Sequence, residues 1–174
     1  MGVRPIYTDY IAGKGGKISK GGVIMDIKRI LFPTDFSEGS SIALEYAMDM
    51  AKRYSAKLYI VHVIYDVVKA AGWYVPHVSI DEMYKDLEKG AQIEIERFGL
   101  EELRSLKGIE RSVLMGVPHE AIVKFAKENK VDIIVMGTHG RKGVGRILFG
   151  STAAQVVRFA PCPVLTVRMP MYKW

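Results

Sequence analysis

The sequence predicts a single doubly wound α/β domain, a mostly parallel sheet with helices on both faces. Three observations carry this. Short apolar runs alternate with segments of helical period from Lys28 onward. The runs over residues 58–64 and 131–136 are nearly unbroken, as strands covered on both faces must be. The 174 residues, 49% hydrophobic and 25% charged, have the length and composition of one globular domain.

The elements follow in order. Arg29-Ile30-Leu31-Phe32 is a first strand stopped by Pro33-Thr34-Asp35. Ser37 can N-cap a helix whose inner stripe is Leu44, Ala47, Met48 and Ala51, with Glu45, Asp49, Lys52 and Arg53 facing water. Residues 57–64 form a second strand. After a loop holding Trp73, Tyr74 and Pro76, which reads as a lid or partner-facing surface, Ser79 or Asp81 can cap a further helix. Met83, Leu87, Ala91, Ile95 and Phe98 lie on its inner stripe, and Gly99 bends or breaks it. Residues 110–115 are a third strand, amphipathic and therefore near an edge. Pro118 opens a helix with Ala121, Ile122, Phe125 and Ala126 inside. Residues 131–136 are a fourth strand, Ser151 to Phe159 a helix stopped by Pro161, and residues 163–167 a fifth strand. Ligands of such sheets bind beyond the carboxyl ends of the strands, where the winding reverses.

Residues 1–25 read as a Gly/Lys-rich tail, a flexible or dimer-draping arm, with Met25 a candidate start. Residues 26–169 form the domain and 170–174 a short C-terminal tail. No uncharged stretch reaches the roughly 18 residues of a membrane span. The lone Cys162 cannot form an internal disulfide, which points to a reducing, cytoplasmic setting. The net charge is +6, and the last acid is Asp132; the excess equals the cations beyond it, Arg141, Lys142, Arg146, Arg158, Arg168 and Lys173. Three of them fall in a glycine-rich loop, which favours a phosphate-bearing ligand over a broad nucleic-acid surface.

That loop, residues 137–151, runs from a buried strand to a helix N-terminus. Its glycines let backbone amides approach a phosphate, the helix end adds N–H groups and partial positive charge, and the Ser151 hydroxyl can donate. An ordinary loop with a Ser cap is the alternative. A Walker A loop is excluded because Lys142 precedes Gly143 and Val144 follows it. A dinucleotide fingerprint fails because Gly143-Val144-Gly145 is followed by Leu148 at its last position, and the first strand ends in Pro33-Thr34-Asp35.

Gly137-x2-Gly140-x9-Gly150-Ser151, residues 29–37, His62-Val63, Gly116-Val117-Pro118 and residues 160–167 occur together, in order. This set resembles the universal stress protein family over residues 28–168, and the glycine pattern is similar to that of its ATP-binding branch. The resemblance implies a Rossmann-like five-stranded parallel sheet ordered 3-2-1-4-5, with ATP, and Mg2+ as a candidate companion, between the first and fourth strands. Pro33, Thr34 and Asp35 would border the adenosine, and the Val63 backbone would meet the adenine edge. Met136, Gly137, His139 and Gly140 would line ribose and phosphates, with Arg141 and Gly143 in the same loop. Gly150, Ser151, Thr152 and Ala153 would close on the phosphates, although Ala153 lacks a hydroxyl that some relatives carry there. The resemblance also implies a homodimer through the fifth strand.

Alternatives stay open for single residues. Asp35 is a ligand or a loop cap, His62 reads as a satisfied core histidine, and His139 meets phosphate or solvent. No paired carboxylate accompanies the glycine loop, so no catalytic residue is assigned and hydrolysis of ATP is expected to be slow. Nucleic-acid binding remains as a third reading, disfavoured by the localised charge. A nucleotide-dependent stress or regulatory module leads.

Overall fold

The computed structural model describes residues 17–19, 22–24, 26–66, 80–138 and 150–168. Strands β1 (Lys17–Ser19) and β2 (Gly22–Ile24) pair antiparallel, a short element in a segment whose composition had suggested only a tail. The remaining elements are β3 (Arg29–Thr34), α1 (Glu38–Tyr54), β4 (Lys57–Tyr65), α2 (Ile80–Arg97), α3 (Leu100–Leu103), β5 (Ile109–Gly116), α4 (Pro118–Glu128), β6 (Ile133–Gly137), α5 (Ser151–Phe159) and β7 (Val164–Val167). Strands β3 to β7 make one parallel sheet in the order β5-β4-β3-β6-β7. Numbered within the sheet, this is the expected 3-2-1-4-5.

Period-two alternation sorts the strand side chains into two cores. Ile30, Phe32, Leu58, Ile60, Ile133 and Val135 pack with Ala43, Leu44, Ala47, Met48 and Ala51 of α1, Ile95 of α2 and Leu103 of α3. Leu31, Tyr59, Val61, Ile134 and Met136 face Ile122 and Ala126 of α4, with Ala153 and Val156 of α5. The expected α1 stripe is therefore the observed one, and Ser37 caps that helix by accepting from the Ser40 N–H. Pro118 is the first residue of α4, and β5 is an outer strand, as its amphipathic pattern suggested.

Helix α2 departs from expectation. Ile95 is fully buried, but Met83 and Leu87 are 47% and 48% exposed. The helix packs over the outermost pair, β4 and β5, so its last turns are covered and its first are not. Gly99, at φ 61, ends this run and starts α3, a left-handed turn that suits glycine.

At the amino ends of the strands, the Asp132 carboxylate accepts the backbone N–H groups of both Lys28 and Arg29 at 2.8 Å. These charge-assisted bonds fasten the start of β3 to the start of β6. On the outer pair, Lys57 Nζ meets Glu110 Oε2 at 2.6 Å, and that bond raises the ammonium pKa above its ordinary value.

Candidate functional site

The two central strands part at their carboxyl ends, and the sequence explains why. Asp132 N–H donates to the Arg29 carbonyl, whereas Lys57 N–H donates to that of Lys28. Backbone direction alternates along a strand, so Arg29, Leu31 and Pro33 face β6. Proline has no N–H. The paired positions of β3 and β6 are accordingly Ile30 with Ile133 and Leu31 with Ile134, and the pairing stops before Pro33. On the other side, β3 stays paired with β4 as far as Thr34 with His62. The ladder between β3 and β6 thus ends where the winding reverses, the point at which doubly wound sheets form a ligand crevice.

Its walls follow from the same alternation. Leu58 N–H turns to the Gly108 carbonyl, so Lys57, Tyr59, Val61 and Val63 direct their backbone groups toward β3. Val63 lies one residue past the last β3–β4 pair, which carries its carbonyl to the crevice side. Across the crevice, Gly150 N–H donates to the Thr138 carbonyl at 2.7 Å and brings the start of α5 to the end of β6. The first helical bond is Ala154 N–H to the Gly150 carbonyl. The amides of Ser151, Thr152 and Ala153 are therefore not used within the helix, and Gly150 supplies no side-chain cap.

The loop between β3 and α1 is tightly bracketed. Asp35 Oδ1 accepts from Ser37 N–H at 3.2 Å, Ser37 Oγ at 2.6 Å and Ser40 Oγ at 2.7 Å. The cap role weighed for Asp35 is thus present. Thr34, 6% exposed, accepts the Phe36 N–H on Oγ1 at 3.0 Å. His62 Nδ1 lies 2.8 Å from the Thr34 carbonyl, so this histidine is satisfied, as its place in an apolar strand suggested.

Other expected residues divide by location. Pro33, Thr34, Asp35, Val63, Gly150, Ser151 and Thr152 stand at the crevice ends, with Ser151 exposed. One expectation needs correction. Met136 is 6% exposed in the core beneath α4 and α5, and its place between Ile134 and Thr138, whose N–H groups donate toward β7, turns its backbone to β7 as well. Ala153, 3% exposed, packs its methyl into the same core, which leaves its amide for the contact expected of it. Gly137 is half-buried, and a Cβ there would lie 3.0 Å from the Gly39 carbonyl oxygen, so its first demand is close packing on α1. His139, Gly140, Arg141 and Gly143 lie outside the described residues. Sequence reasoning missed Gly39 and Ser40; the spacing of Ser37 and Ser40 in the first turn after Asp35 was the available signal for the second.

Together these features define a doubly wound α/β domain, a class whose ligands bind at the switch point of the sheet. Residues 26–168 match the model of the universal stress protein family. The chain is 36% identical to universal stress protein MJ0531 of Methanocaldococcus jannaschii over 149 residues, covering 82% of this chain and 83% of that one. It is also similar to the solved hypothetical protein MJ0577, with a TM-score of 0.74 and 32% identity over 85% of this chain and 100% of that one. A universal stress protein solved in complex with cAMP matches with a TM-score of 0.55 and 26% identity, covering 82% of this chain and 98% of the other. The chain belongs to the universal stress protein family. No helix among the described residues is long and apolar enough to cross a membrane.

Proposed function

We propose that this protein binds ATP in the β3–β6 crevice and acts as a nucleotide-dependent stress or regulatory module. The observation that carries this is the pairing of two complementary ends across one crevice. The Val63 backbone offers an edge suited to a purine, and the amides of Ser151, Thr152 and Ala153 offer a positive helix end suited to phosphate. The relative solved with cAMP supports an adenine ligand. Pro33, Thr34 and Asp35 border the adenosine in this reading, Gly137 and the loop from His139 to Gly143 accompany the phosphates, and Mg2+ enters with the triphosphate.

Calorimetry should show ATP binding in preference to NAD. Ser151→Ala should weaken it by roughly 1–2 kcal/mol, the loss of one hydrogen bond to a charged group. Binding of NAD without ATP would overturn the assignment. Turnover should stay far below the roughly 10 per second of an ordinary enzyme, because the crevice offers phosphate donors without an assigned base.

The same reading includes a homodimer through β7. Pro163 and Val167 carbonyls accept from β6, so alternation directs the backbone of Val164 and Thr166 outward, along the edge of the sheet. Leu165 and Val167 pack against the core, which leaves the outward backbone to pair with a second copy. Thr166→Pro removes an outward N–H while sparing the β6 ladder. Light scattering should report a dimer for the wild type and a monomer for this variant; a monomeric wild type would refute the interface.

A further inference from the structure

We propose that His62 is a positioning residue for the nucleotide site, clasping the loop that carries Asp35 through two contacts at once. This rests on the nucleotide reading above. Phe36 has φ 63, a left-handed conformation that a bulky side chain rarely adopts. Among the described residues, the other non-glycine positions of this kind are Ser55 and Lys130, and both follow helix ends, where such a turn closes the helix. Phe36 instead precedes the N-cap of α1, which Ser37 already serves. Capping therefore does not account for it, and a strained residue beside a ligand crevice is the pattern expected of a functional constraint.

What holds Phe36 there is visible. Its ring stacks on the His62 imidazole, with centroids 4.3 Å apart and planes 26° from parallel, and meets the Phe98 ring edge-on at 5.6 Å. The same imidazole bonds the Thr34 carbonyl through Nδ1 at 2.8 Å. A carbonyl only accepts, so Nδ1 carries a proton and donates it to Thr34. His62 thus grips the residue before Asp35 by its carbonyl and the residue after it by its ring. From the α1 side, Ser37 and Ser40 hold the Asp35 carboxylate. Asp35 is set between two clamps that reach it from different elements. Removing the β4 clamp frees Phe36 to return to negative φ, which rotates the adjoining peptides and shifts Asp35 and Thr34 away from the crevice wall.

The test combines amide hydrogen exchange of the free protein with ATP titration, for the wild type and three variants. His62→Ala removes both contacts. His62→Asn keeps a donor near the position of Nδ1, and His62→Phe keeps the stack without the donor. The alanine variant should lose protection at the Phe36 and Ser37 amides, keep it at core amides such as Ile60 and Val135, and bind ATP about tenfold more weakly. Each of the other two variants should recover part of both effects. Phe36→Gly, which takes a positive φ without strain, should bind ATP better than Phe36→Ala. Unchanged Phe36 and Ser37 protection in His62→Ala overturns the clasp, and lost protection with wild-type ATP affinity overturns the positioning role. Equal loss of protection at the core amides would show a merely structural histidine and also overturn it. Failure of the wild type to bind ATP would instead remove the nucleotide reading and with it the positioning role, while the exchange data still decide whether the clasp exists.

Discussion

Gly137→Val is expected to destabilise the fold and to weaken ATP binding together. A Cβ at this position would stand 3.0 Å from the Gly39 carbonyl oxygen, 3.2 Å from its carbon and 3.5 Å from the Ser40 nitrogen. These are backbone atoms in the first turn of α1, so no side chain can swing aside to make room. Valine adds two further carbons, and the helix start must move. Overpacking of this kind costs about 1–3 kcal/mol. For a chain of this size that corresponds to a fall in the melting midpoint of roughly 2–4 °C per kcal/mol. The displaced turn contains Ser40, whose hydroxyl bonds Asp35, so the shift reaches the crevice as well. Gly137→Ala should fall between wild type and valine in both measurements. A valine variant that melts with the wild type would show that the close approach to α1 is not maintained in solution.

Phe32→Ala should have the largest effect on stability. Phe32 is fully buried in the core beneath α1 and α2, and its ring stacks with Phe98 at 6.2 Å and 11°. Removing a buried phenylalanine costs about 3–5 kcal/mol, a large share of the roughly 5–15 kcal/mol that holds a domain folded. Denaturant titration should show an earlier midpoint with an unchanged slope. Phe98 also touches Phe36, so the variant should loosen the β3–α1 loop even where it remains folded. Phe32→Leu, which restores most of the volume, should recover most of the loss. Similar midpoints for alanine and leucine would mean that the cavity collapses without cost.

Much of the sheet was legible because β3, β4 and β6 are buried on both faces and their sequences carry nothing but apolar side chains over several residues. The strand order came from family resemblance, since pairing depends on crossovers that no local pattern records. The stripe of α2 misled: Met83 and Leu87 have the right spacing, but spacing cannot tell how far along a helix its cover extends. Strands β1 and β2 are too short for an alternating pattern to stand out among glycines. At the site, Pro33 and the Gly150-Ser151 end were readable as punctuation. The role of Pro33 in stopping the pairing with β6 needed knowledge of which strand it faces. Gly39 reads as a weak helix residue until Gly137 is seen against it, and the grip of His62 on Phe36 joins residues whose relation exists only in the folded chain.

The seam between β3 and β6 joins the two oppositely wound halves of the sheet. It is pinned at its root, where Asp132 takes the amides of Lys28 and Arg29 at the start of the neighbouring strand, and it is unlaced at its mouth by a single proline. The chain has thus given up backbone pairing at one end of its central joint while reinforcing the other. In the reading proposed above, a nucleotide in the mouth would stand where the two strands make no rungs of their own, so its binding energy would also be cohesion between the halves and occupancy would stiffen the joint.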